Sequence, residues 1–232
     1  RSLYIGGSAM MTASKEAIEK GRELAGDALE AAATDIEYKD GRFTVAGTDV
    51  GIDLFSLAGR QADKRILIDT LQKVDGPSWP NSCHVAEVEV DPDTGVVDIV
   101  KYTTLDDVGR VINPLIVAGQ VHGGIAQAVG QAMLEDTRYD PESGQLVTGS
   151  LLDYCVPRAD DLPDFTQFCD ESTPCKINPL GAKGVGELGT VGGTPTVVNA
   201  IVDALRPMGV TNLEMPVTSE RVWRALQQGK AA

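Results

Sequence analysis

The residues best suited to chemistry lie in one glycine-rich run: Asn178-Pro179-Leu180-Gly181-Ala182-Lys183-Gly184-Val185-Gly186-Glu187-Leu188-Gly189-Thr190-Val191-Gly192-Gly193. Six glycines fall between Gly181 and Gly193, and the only charges in that span are Lys183 and Glu187. Glycine gives up more backbone entropy on ordering than other residues and is placed where positive φ or close approach is needed. A flexible linker would carry serine and charge. This run carries Leu, Val and Ala, so it reads as a buried loop wrapped around a ligand. A lone carboxylate among small apolar groups is desolvated, which raises its pKa and suits Glu187 to act as a general base near neutral pH. The plain alternative is that Glu187 is an ordinary loop residue. Gly184 to Gly189 also spells GxGxxG, but Pro174 and Pro179 argue against a buried strand before it. Asp203 comes too early to be the ribose-binding acid of that motif. No Gly-Lys-Ser/Thr closes the run, so it is not a P-loop.

Two further stretches could hold a polar ligand. Gly6-Gly7-Ser8 precedes a helix expected over 12–33, with Thr12 or Ser14 as cap and Glu16 and Glu19 at its positive end. A turn of that composition is either a simple cap or a phosphate cradle. Residues 111–134 contain no Asp, Glu, Lys or Arg. Asn113-Pro114 opens a helix there in N-cap, N1 order. Three glutamines, His122 and four glycines exclude a membrane span, so the stretch reads as a helix buried inside protein. Gln120, Gln127 and Gln131 share one side at spacings of seven and four. A buried amide needs partners, either neighbouring backbone or a polar cofactor.

The elements that must position these residues follow from turn chemistry and periodicity. Asp40-Gly41 joins a short hairpin over 36–45, and Asp53 opens a short helix over 52–61. A longer hairpin pairs 83–90 with 96–105 around Asp91-Pro92-Asp93-Thr94-Gly95; Val85, Glu87 and Glu89 alternate with Ala86, Val88 and Val90. Residues 139–146 form another turn between strands, 153–164 a loop, and 165–170 a strand. Thr194-Pro195 starts a helix with Val197, Val198, Ile201, Ala204 and Leu205 on one face, and a last helix runs through Val222, Trp223 and Leu226. Strands and helices are mixed and the hairpins antiparallel, which gives an α+β fold of two lobes, 1–76 and 77–232.

The chain has 232 residues, 42% hydrophobic and 23% charged, with a net charge of -14. No Lys/Arg cluster stands out, so nucleic acid and anionic membrane are not the expected partners. Cys83, Cys155, Cys169 and Cys175 form no CxxC pair, and the spacing suggests neither a zinc nor an iron–sulfur site. Buried free thiols in a reducing, cytoplasmic setting are the expectation. With Arg1 first, the opening reads as the interior of a longer polypeptide.

Lys183-Gly184-Val185-Gly186-Glu187, followed by a helix opened by Thr-Pro, resembles the active-site loop of the molybdenum hydroxylases, the xanthine oxidase and aerobic carbon monoxide dehydrogenase family. Arg1-Ser2 with Gly6-Gly7-Ser8 resembles the segment near the phosphates of that family's pterin dinucleotide. The hairpin over 84–95 and the stretch from Asp107 through Gln127 match in family order. Met10, where some relatives carry a second hydroxyl, and Ala128, in place of a common glycine, depart from the pattern. The resemblance implies the C-terminal part of a molybdopterin-binding large subunit. Glu187 would be the general base. Gly7, Ser8, Gln127, Lys183, Gly184, Val185 and Gly186 would contact a molybdenum–pterin, in its cytosine dinucleotide form. The metal would be held by the pterin dithiolene, with no protein ligand. The implied reaction is oxidation of an aldehyde, an N-heterocycle or CO with water-derived oxygen. The implied partners are the N-terminal part of the same subunit and subunits or domains carrying 2Fe-2S clusters and FAD, assembled as a dimer of heterotrimers. The chain alone would then be incomplete and inactive.

Overall fold

The computed structural model describes residues 2–73 and 76–229. Arg1, expected near a phosphate group, lies outside the described residues. The fold is α+β and divides into two compact units. One comprises residues up to Pro77 with Lys176–Gly181; the other comprises Ser78–Cys175 and the chain from Ala182 onward. The glycine-rich run is therefore split between them after Gly181.

In the first unit a five-residue π-helical turn, Leu3–Gly7, runs directly into α1 (Ser8–Leu29). The expected Gly-Gly-Ser turn before the helix is not there. Gly7 has helical φ and ψ of -65° and -37°, and neither Thr12 nor Ser14 caps anything. Ser14 Oγ bonds back to the Met10 carbonyl. The helix ends at Leu29 rather than 33, with Glu30 in the left-handed region at φ 54°. Strands β1 (Ile36–Lys39), β2 (Arg42–Val45) and β3 (Gly51–Asp53) form one antiparallel sheet in that order. Asp40 and Gly41 take φ 48° and 82° at the first hairpin, as its two-residue turn requires. The Asp53 side chain accepts from Ser56 N at 2.8 Å and caps the short helix α2 (Leu54–Gly59). Ala25, Ile36, Phe43, Ile52 and Leu57 are the buried core. The segment after α2 runs back along α1: Lys20 Nζ donates to the Leu67 carbonyl, Thr70 Oγ1 to Glu16, and the Tyr4 hydroxyl to the Gly76 carbonyl.

The second unit is a three-stranded sheet covered by helices. Strands β4 (Asn81–Val90) and β5 (Val97–Asp107) are antiparallel, and β6 (Phe165–Cys169) runs parallel to β5. Beyond β5 come α3 (Pro114–Val129), extended by a π turn over Gly130–Leu134, then α4 (Leu188–Leu205) and α5 (Ser219–Gly229). The Asn113 side chain caps α3 by accepting from Ile116 N at 3.2 Å. Around 139–146 only a single bridge, Tyr139 to Leu146, replaces the expected strands.

Two expectations fail in this unit for packing reasons. Helix α4 begins at Leu188, not at Thr194, so Gly189, Gly192 and Gly193 are helical. A Cβ on Gly189 would stand 2.5 Å from the Val121 carbonyl oxygen, and one on Gly124 would stand 2.9 Å from the Gly189 Cα. These glycines let α3 and α4 touch backbone to backbone. Helix α3 is not buried all round: Val117, Val121, Gly124, Ile125, Ala128 and Val129 face the core, while Leu115 is 82% exposed and the glutamines are exposed as well. The four cysteines are free as expected, but Cys83, Cys155 and Cys169 are exposed and Cys175 is half-buried. No described helix is long and apolar enough to cross a membrane.

The α3–α4 contact yields a direct test. Gly189→Ala should destabilise the chain by about 1–3 kcal/mol, the usual cost of overpacking. Urea unfolding compared with an exposed control, Gly59→Ala, checks it.

Candidate functional site

The loop carrying the candidate base is fixed at its start by a shielded ion pair. Lys183 Nζ stands 2.6 Å from Asp107 Oδ2, with the two side chains 12% and 16% exposed. Asp107, at the end of β5, also accepts from Gly109 N at 2.9 Å and from the Thr173 hydroxyl. Burial pushes this carboxyl up, but hydrogen bonds from Lys183, Thr173 and Gly109 and the ammonium charge outweigh it, holding the pKa at about 2. Lys183 N donates to the Val108 carbonyl at 2.7 Å, and Ala182 bridges Gly109. The Lys183 ammonium is thus directed at Asp107; its structural work is to pin the loop to the sheet. The role of Asp107 carries no signal in spacing alone.

From that pin the chain passes through Gly184, Val185 and Gly186 to Glu187. Val185 packs against the core. Gly184 and Gly186 are exposed; a Cβ on Gly184 would meet nothing within 4 Å, and one on Gly186 only Gln120 Oε1 at 3.7 Å. Glu187 occupies the N-cap position of α4 without using its side chain as a cap. Its carboxylate is exposed, so the apolar enclosure expected of it is not supplied by the described residues. The reason is the early start of α4: Leu188 and Gly189 turn into the core, and Glu187 is left on the outer side of the first turn.

Alongside, the glutamines of α3 form an edge. Thr190 Oγ1 lies 3.2 Å from Gln127 Oε1 and 3.1 Å from the Gly124 carbonyl; Thr194 Oγ1 lies 3.4 Å from Gln131 Oε1. Thr190 and Thr194, one helical turn apart in α4, thus meet Gln127 and Gln131, and Gly186, just before the helix, lies where an added Cβ would stand 3.7 Å from Gln120 Oε1. Sequence reasoning picks out the glutamines but misses the threonines, whose spacing of four repeats that of Gln127 and Gln131. In the first unit, Gly7 lies beneath Leu180 and Leu3, where a Cβ would approach Leu180 Cδ1 to 2.9 Å. Ser8 is fully buried and its hydroxyl donates to the Tyr4 carbonyl at 2.6 Å. That hydroxyl is spent on its own helix, as expected for a serine bonding back by four residues.

The second unit therefore presents neutral amide groups, open glycine backbone and one carboxylate along a single edge. Such a set suits the flat, hydrogen-bonding rim of a heterocycle. Among the described residues no group of three or more His, Cys, Asp or Glu could hold a metal ion. A cavity of about 980 Å³ lies elsewhere, between the first half of β5 and residues 160–164, and none of the candidate residues lines it.

Comparison with known proteins shows the family of the chain. Residues 1–163 match the family model described as a molybdopterin cofactor-binding domain. The chain belongs to the molybdenum hydroxylase family. It is 35% identical, over 98% of its length and 30% of the relative's, to the 6-hydroxypseudooxynicotine dehydrogenase complex subunit gamma of Paenarthrobacter nicotinovorans. It superposes on the CO dehydrogenase from Oligotropha carboxidovorans with a TM-score of 0.88 and 32% identity, over 100% of this chain and 30% of that one. The match to quinoline 2-oxidoreductase from Pseudomonas putida 86 has a TM-score of 0.86 and 35% identity, over 98% and 30%. The chain thus spans about a third of the length of these relatives.

The Lys183–Asp107 pair sets a pH-dependent stability. Lys183→Met should cost about 1.5–3 kcal/mol, the range for a hydrogen bond to a charged group. The folded pKa of Asp107 lies below the ordinary 3.8, so its contribution is complete above that value and lost as pH falls towards about 2. Urea unfolding followed through that window should show a steep loss for the wild type and a shallower one for Lys183→Met.

Proposed function

We propose that the chain is the part of a molybdenum hydroxylase large subunit that carries its general base, Glu187, and one edge of its cofactor seat. The observation that carries this reading is the placement of Glu187 at the head of α4, beside the Gln120–Gln127–Gln131 edge and the open backbone of Gly184 and Gly186. The fit to a pterin is chemical. Side-chain amides both donate and accept, and glycine leaves room for a ring system to lie against the backbone.

When bound, the molybdenum–pterin group supplies the two-electron redox chemistry. The chain supplies the rest. Gln127, tethered through Thr190, offers its amide to the pterin rim. Gly184, Val185 and Gly186 present backbone to it, with Val185 anchored in the core and Lys183 tied to Asp107. Glu187 accepts the proton released as oxygen is transferred to the substrate. For that, its carboxylate needs the enclosure that the remaining part of the subunit would supply, because removing water around it raises its basicity. For Gly7 and Ser8 to contact a phosphate, the buried Ser8 hydroxyl would have to leave the Tyr4 carbonyl.

The reading extends to a cytosine dinucleotide form of the cofactor, to 2Fe-2S and FAD partners in a dimer of heterotrimers, and to a cytoplasmic enzyme acting on an aldehyde, an N-heterocycle or CO. The exposure of Glu187 favours one alternative, that this chain by itself is a cofactor-binding module without catalysis. Joined to the rest of its large subunit and assayed on those three substrate classes, the wild type should turn over one of them. Glu187→Gln should leave molybdenum content unchanged and cut turnover by about 100- to 10,000-fold, the range for loss of a general base. Near-native turnover would defeat the assignment. Gln127→Ala should lower pterin content while leaving Tm close to wild type, since its side chain is exposed; a fall in Tm with full cofactor content would make it a structural residue.

A further inference from the structure

Beneath the first turns of α4 lies a polar cluster that the reaction above does not use. The His84 side chain, from β4, is 2% exposed, and Asp106, from β5, is fully buried. Asp106 Oδ1 accepts from Thr104 Oγ1 at 2.6 Å and Oδ2 from Gln167 Nε2 at 2.8 Å. His84 Nδ1 lies 2.8 Å from the Tyr102 hydroxyl. Burial, against a hydrogen bond with Thr196, pushes the Tyr102 phenol far up, so it keeps its proton; the direction of its hydrogen bond with Nδ1 follows the imidazole tautomer. The other ring nitrogen is Nε2. That atom faces Asp106 Oδ1 at 3.9 Å, too far for a hydrogen bond, and has no partner among the described residues. On its other side is Gly192, where a Cβ would come within 2.8 Å of Nε2.

We infer that His84 is a positioning residue: its ring is the spacer between β4 and α4 at Gly192, and its charge state sets how firmly the first turns of α4 are seated. Helix α4 rests on the ring with no side chain between them. Glu187 lies five residues before Gly192, about 7.5 Å along the axis at the helical rise, so the seating passes directly to the candidate base. The consequence for catalysis rests on the reading of Glu187 as that base; the seating does not.

Burial lowers the His84 pKa below its ordinary 6.5, and the Asp106 charge opposes that only in part. The other titratable groups near the ring are Tyr102 from β5, and Asp203 and Arg206 from α4 and its end, which line the same shallow cleft as His84. Only Asp106 is close enough to pair with a protonated ring. Because the folded pKa is the lower one, the seating is complete above pH 6.5 and is lost as pH falls through the folded value. A ring carrying two N–H groups can only donate from Nδ1 to the Tyr102 oxygen, and its Nε2–H then faces the Asp106 carboxylate across the 3.9 Å gap, beside Gly192.

Hydrogen exchange of the 188–193 amides in the purified chain, corrected for the intrinsic pH dependence, tests this directly. Wild-type protection should fall between pH 6.5 and the ring's lower folded pKa by about tenfold for each unit of depression, and level off as the His84 imidazole signal titrates in NMR. His84→Gln, which keeps a hydrogen-bonding amide but cannot take the charge, should retain protection with no step. An identical step in His84→Gln would overturn the inference, as would a wild-type ring that titrates without changing protection or does not titrate at all. If His84→Gln does not fold, the wild-type titration alone decides. Exchange reads the helix without turnover, so failure of the Glu187 assignment would appear separately, as activity in Glu187→Gln with the exchange step intact.

Discussion

Helices α3 and α4 touch through glycine, and the candidate site depends on that contact. Gly124 and Gly189 bring the two backbones together with no side chain between them. The register of the glutamine edge against 186, 190 and 194 follows from this one crossing. Below it, Leu188, Gly193, Val197, Ile201 and Leu205 turn every fourth or fifth residue of α4 into the core. The edge above is polar because the face below is spent on packing. The glycines that look like ligand-binding loop in the sequence are divided between two tasks: Gly184 and Gly186 leave backbone open, while Gly189, Gly192 and Gly193 admit neighbouring elements.

The end of β5 anchors the site from the other side. Asp106 and Asp107 are adjacent, and successive strand residues point to opposite faces. Asp106 therefore enters the cluster with Thr104, Gln167 and His84, while Asp107 reaches out to Lys183, Thr173 and the Gly109 amide. One strand terminus thus supports both α4, through the histidine ring, and the loop before it, through the lysine. A buried carboxylate is tolerated only with such partners, so both acids commit their neighbours to definite positions.

Much of the fold is legible where a residue has one physical reason to be there. Asp40-Gly41 can hardly be anything but a hairpin turn, Asp53 and Asn113 cap the helices expected of them, and the alternation along 85–90 gives β4 its inner face. Legibility fails where one residue type serves two ends. Gly6-Gly7-Ser8 is helical, and Gly7 packs under Leu180, a partner distant in sequence. Thr194-Pro195 has the look of a helix start, yet lies in the second turn of α4 because the contact with α3 rewards an earlier beginning. The uncharged stretch 111–134 suggests burial on every side, whereas its outer face is exposed in this chain. Of the site, Glu187 and Gln127 are visible through family resemblance together with spacing. Asp107, Thr190 and His84 emerge only from three-dimensional contacts.

The glycine crossing also limits how this scaffold can diversify. Where side chains separate two helices, a change in one can be absorbed by rotamers in the other. Between Gly124 and Gly189 there is nothing to re-sort, so any added atom moves a whole helix. The spacing between the glutamine edge and the head of α4 is in that sense a fixed gauge. New ligand preferences would have to arise on surfaces that close over the edge, leaving the gauge itself unaltered.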